Sequence, residues 1–113
     1  MKVLFLFLLV TLLSACSKSP GHPNDIGAYV ACQFFVKDYL KAPESADFED
    51  ITNTPVKRLK FSEDSEGKQT AHYLVAGYFT GINSFGARLK TAYACKTHKT
   101  TGGEWIEDFV QID

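Results

Sequence analysis

The side chains able to do chemistry are few. Three cysteines (Cys16, Cys32, Cys95) and three histidines (His22, His72, His98) stand among 13 acidic residues. A thiolate is a nucleophile and a soft metal ligand; an imidazole is a base near neutral pH and a metal ligand. Here their spacing promises little of this. No histidine lies at ligand spacing from a cysteine or from another histidine, so no metal site is expected. No serine occupies a G-x-S-x-G elbow, no Ser-His-Asp or Cys-His order stands out, and there is no P-loop or G-x-G-x-x-G. His72 and His98 fall singly on strand-like segments and read as surface residues. Asp47, Glu49 and Asp50 lack the glycine and twelfth-position glutamate of a calcium loop and read as a solvated turn. Glu63-Asp64-Ser65-Glu66 reads as a charged hairpin tip. The expectation is a non-enzyme with no catalytic residue, no metal and no cofactor.

Cys16 has a more specific setting. Lys2 supplies a positive start, and Val3 to Leu13 is apolar except for Thr11. The run is shorter than the roughly 20 residues a spanning helix needs and ends in small residues, as a secretory signal does. Leu13-Ser14-Ala15-Cys16 resembles the lipobox of bacterial lipoproteins. In that family the cysteine thiol takes a diacylglycerol and the leader is removed just before it. The resemblance implies lipidation at Cys16, cleavage after residue 15 and a membrane anchor of two or more acyl chains, which holds where one chain does not. Ser17 after the cysteine, in place of Asp, implies the outer membrane facing the periplasm if the host is Gram-negative. With Cys16 lipidated, Cys32 and Cys95 remain as a pair in an oxidising compartment. They are expected to form a disulfide, two free buried thiols being the alternative.

The rest of the chain must position these groups. Without Lys2, 11 Lys and Arg face 13 Asp and Glu, too balanced for a nucleic-acid binder. A hydrophobic content of 45% suits a packed core. Residues 16–23, with two prolines and a glycine, predict a tether; residues 24–113 predict one α+β domain. Asn24 or Asp25 reads as an N-cap, and the helix is expected to run to about Lys41, where Ala42-Pro43 stops it. Ala28, Tyr29, Cys32, Phe35, Val36 and Tyr39 share its apolar face. Ile26, Val30 and Phe34 form a thinner line at i, i+4, i+8, which either packs or offers a ridge to a partner. Val56–Phe61, Ala71–Thr80, Ala87–Thr97 and Glu104–Ile112 then read as strands. Leu59 and Phe61 are expected to share one side. Leu89, Thr91, Tyr93 and Cys95 alternate with Arg88, Lys90 and Lys96, which predicts a sheet with one wet face. Short connections favour an antiparallel meander of about four strands with the N-terminal helix laid across it. Ile82 and Phe85 in the loop GINSFG are unusual for a hairpin tip: Phe85 either tucks under the sheet or offers an apolar contact.

Three segments carry a second resemblance: CQFFVKDYLKAPESADF, VAGYFTGINSFGARLKTAYAC and GGEWIEDFVQI. Together they resemble a small domain of bacterial and prophage-encoded proteins, some of them lipoproteins. The resemblance spans most of the chain after Cys16. It implies the same fold and the Cys32–Cys95 pairing, and no activity. The expected role is protein binding or structural support in the envelope. The partner would be an envelope protein met through Ile26, Val30, Phe34, Ile82 or Phe85, and not a nucleic acid. The alternatives are a phage superinfection-exclusion lipoprotein and a periplasmic inhibitor of an exported enzyme such as lysozyme.

Overall fold

The computed structural model describes residues 21–113. Helix α1 spans Asp25–Lys37. Asn24 caps it: its backbone is extended, and its Oδ1 accepts a hydrogen bond from the Gly27 N–H at 2.7 Å. That satisfies one of the donors a helix start leaves free, a contribution of about 1 kcal/mol. Asp25 in the first turn and Lys37 in the last complement the helix dipole. The helix ends four residues earlier than expected. Tyr39 and Leu40 bond back to Val36 and Lys37, an i→i+3 tightening that unwinds the helix before the proline acts. Tyr39 is consequently 60% exposed, and its hydroxyl donates to Glu107 instead of joining the core.

The sheet is antiparallel and contains five strands: β1 (Asp47–Phe48), β2 (Val56–Glu63), β3 (Gln69–Ile82), β4 (Arg88–Thr100) and β5 (Ile106–Ile112). β3 and β4 form the long central ribbon, paired from Thr70↔Thr100 to Ile82↔Arg88. β5 lies beyond β4, while β1 and β2 share the other edge of β3. Two residues are too short for an alternation to be read, so β1 is the strand the sequence did not announce. The fold is therefore α+β, as predicted, with one strand more than the sequence suggests.

The helix covers the face carrying Ala71, Tyr73, Val75 and Phe79 of β3 with Tyr93, Cys95 and Thr97 of β4, all buried. From above, Ala28, Cys32 and Val36 are fully buried against it, with Tyr29 and Phe35 partly so. Burying a side chain such as Val36 is worth roughly 1.5–3 kcal/mol. The Cys32–Cys95 disulfide passes through the middle of this layer, with a Cα–Cα distance of 5.9 Å. Phe48 brings β1 into the same core, 5.4 Å from the Phe79 ring and edge-on to Tyr93 at 5.5 Å.

Two irregularities break the ladder. β2 shifts register between Arg58 and Lys60, so Leu59 has no place in the alternation; it and Phe61 are both more than 40% exposed. β5 shifts against β4 between Lys96 and Thr97, leaving Asp108 as the extra residue. Gly21 to Pro23, expected to be free tether, is held against the β4–β5 turn. The Gly21 carbonyl accepts from Gly102, and His22 Nδ1 lies 2.9 Å from Thr101 Oγ1.

Candidate functional site

Cys16 and the segment around it lie outside the described residues. Among the described residues, no helix is long and apolar enough to cross a membrane. The other candidate residues fall in three separate places.

The first is the outer side of α1. Ile26, Val30 and Phe34 are exposed by 66%, 41% and 63%, so this line does not pack. Val30 and Phe34 border a shallow, almost wholly apolar groove of about 300 Å³, walled by Trp105. Gly27 is what lets the indole come close: a Cβ there would lie 2.7 Å from Trp105 Cζ2. The ring is held edge-on to Tyr73 at 5.8 Å, with Lys99 Nζ 5.8 Å from its centroid on β4.

The second is the β3–β4 tip. Asn83 Oδ1 accepts from the N–H groups of Phe85 and Ala87 at 2.9 and 3.0 Å, and Gly86 takes φ +82° to complete the turn. Phe85 does not tuck back; it is 93% exposed. Ile82 lines a different cleft, with Tyr39, Leu40, Phe79 and Leu89. Trp105 lies near the far end of β4, roughly 40 Å from Phe85 at about 3.3 Å per residue. The five apolar residues named from the sequence therefore do not form one surface.

The third place was not visible in the sequence. His72 and His98, 26 residues apart, are direct cross-strand partners on the helix-free face of the sheet. Their rings stack at 4.7 Å. Asp108 reaches the same point from β5. Both its carboxylate oxygens lie 2.8 Å from His98 Nδ1, and one lies 3.8 Å from His72 Nδ1. One ligand atom from each of the three residues falls within 4.8 Å of the others. The signal that could have found the pair is hairpin symmetry: a turn centred on Phe85 puts residues 72 and 98 opposite each other.

The acidic clusters do structural work. Asp64 Oδ1 closes the β2–β3 turn by accepting from Glu66 and Lys68 at 2.9 Å. Glu49 pairs with Lys90 at 3.1 Å, and its carbonyl accepts from the Tyr29 hydroxyl.

Comparison with protein-family models, curated proteins and solved structures finds no match.

One ionisable group in the core is strongly perturbed. Burial, reinforced by the charges of Tyr29 and Glu49, pushes the Tyr93 phenol up to about 12. Its hydroxyl is buried without a hydrogen-bond partner among the described residues. It lies close to Thr54 and Gly77 within the core, and its ring packs edge-on against Phe48.

Proposed function

We propose that the protein is a non-enzymatic lipoprotein of the bacterial envelope, lipid-anchored through Cys16 and acting by binding another envelope protein. The observation that carries the binding role is the bare ridge Ile26–Val30–Phe34 beside the Trp105 groove. The opposite side of α1 is committed to the core, and these three apolar side chains are neither in that core nor among the residues packed against it. Apolar anchors flanking a pocket with an aromatic wall are what protein partners use as energetic centres. The Cys32–Cys95 disulfide supports an oxidising compartment. Leu13-Ser14-Ala15-Cys16 supports the anchor, and the remaining residues to Gly21 supply a short spacer.

A photo-crosslinking residue placed at Val30 in living cells tests this reading. One discrete crosslinked species is expected, lost in Phe34→Asp and retained in Phe85→Asp. Cys16→Ala should move the protein from the membrane to the soluble fraction and weaken the crosslink. Absence of any discrete species, or one indifferent to Phe34→Asp, overturns the binding role; membrane retention of Cys16→Ala overturns the anchor.

A further inference from the structure

We propose that His72, His98 and Asp108 form a binding site for a divalent first-row transition-metal ion of the zinc or copper type. The site lies on the sheet face opposite α1 and does not depend on the anchor or the ridge.

The first argument is the donor set. Two imidazoles and one carboxylate give three protein ligands, the set found where a metal keeps an open position for water or another ligand. Bonds of about 2.0–2.1 Å to a tetrahedral ion put ligand atoms about 3.3 Å apart. The Asp108 oxygens stand at 2.8 Å from one imidazole nitrogen and 3.8 Å from the other, on either side of that spacing. Small side-chain rotations bring all three onto one ion.

The second argument is the backbone. In an unbroken ladder Asp108 would stand opposite Thr97, whose side chain is fully buried under the helix. The extra residue in β5 gives that place to Glu107 and turns Asp108 to the outer face. Bulges re-aim side chains in this way and are frequent beside functional sites. Without it Glu107 would stand opposite His98, so the slip decides that the shorter carboxylate, Asp108, is the one beside the two rings.

The third argument is the present hydrogen bonding. Asp108 binds His98 through a single Nδ1 facing both oxygens, and His72 stacks beside it without a hydrogen bond among the described residues. An ion at the point between them engages all three side chains, which are only about one-quarter to one-third exposed.

The chemistry of the surroundings sets the class of ion. Lys60 stands opposite His72 on β2, and Lys96 is two residues from His98 on β4. With one carboxylate and two nearby cations the site has no excess negative charge. Calcium and magnesium need several oxygens and have no purchase here. Imidazole nitrogen is what attracts the ion, which favours zinc, copper and nickel.

The test is calorimetric titration of the full-length chain, purified without a polyhistidine tag, with zinc chloride and separately with calcium chloride. The expected result is saturation at one zinc per chain and no calcium binding. His72→Gln and His98→Gln should each weaken zinc binding by at least about tenfold, the lower end of what even an outer-shell change costs. His22→Gln should leave it unchanged. A measurement that needs no variant is the response of the imidazole NMR signals. Zinc should shift those of His72 and His98 together and leave His22 in place. No saturable zinc binding, unchanged affinity in the His72→Gln/His98→Gln pair, or a response confined to His22 overturns the proposal.

Discussion

Replacing Tyr93 by phenylalanine should make the protein more stable. Tyr93 is 4% exposed, and its hydroxyl has no hydrogen-bond partner among the described residues. It presses towards the backbone of Gly77, 3.1 Å from where a Cβ would stand. A buried hydroxyl without a partner costs roughly 1–3 kcal/mol of desolvation. Phenylalanine keeps the ring and its edge-on contact with Phe48 while removing that cost. Taking the lower end, the gain is about 1 kcal/mol, or roughly 4–8 °C in thermal midpoint for a domain of this size. Alkaline pH gives a second readout of opposite origin. An unfolded tyrosine ionises near 10, whereas burial holds the native Tyr93 phenol to about 12. Between those values the unfolded state binds fewer protons, so wild-type stability falls as pH rises. The contribution is whole below pH 10 and lost progressively through about 12, at most roughly 2–3 kcal/mol. Urea denaturation of both proteins at pH 7 and at steps up to pH 11 measures the two effects. The gap between Phe and Tyr should be constant up to about pH 9 and widen above it. A phenylalanine variant less stable by more than about 1 kcal/mol at pH 7 would mean the hydroxyl has a partner after all. Parallel pH profiles would refute the account of its ionisation.

Two further outcomes follow from the core. Removing the disulfide as Cys32→Ala/Cys95→Ala opens a link across a sequence separation of 63 and should cost about 4 kcal/mol in urea denaturation, by the chain-entropy relation; a loss under about 1 kcal/mol would count against it. Gly77→Ala should cost about 1–3 kcal/mol, because the new methyl would lie 2.9 Å from Thr54 Cγ2. Adding Thr54→Ser removes that methyl and should recover part of the loss, read as coupling in a double-mutant cycle.

The local features were legible because local chemistry decides them. Asn24 caps because its side chain reaches the third residue on, and Arg88–Lys96 alternates because one face is wet. The pairing of Cys32 with Cys95 could be reached because few thiols were available. What escaped depends on register. β3 carries apolar residues on both faces, and the sequence left open which one meets the helix; the structure buries Tyr73, Val75 and Phe79 and leaves Leu74 and Tyr78 outside. The proline marks a stop at Lys41, but the i→i+3 bonds of Tyr39 and Leu40 end α1 before the proline acts, and composition gives no sign of them. Bulges at Leu59 and Asp108 leave no trace in composition. Asp108 in particular has an ordinary place in the sequence WIEDFVQI and acquires its neighbours only through the slipped pairing.

The bond from Cys32 to Cys95 also governs how the molecule responds to being pulled. Tension entering from the N-terminal side meets the two hydrogen bonds of Gly21 and His22 to the β4–β5 turn and then α1, and an amphipathic helix held only by its greasy side peels away turn by turn. Here a covalent tie halfway along carries the strain directly into β4, a strand flanked by neighbours on both sides. Only the two turns before Cys32 can be dragged loose; everything beyond is shielded until the sheet itself shears.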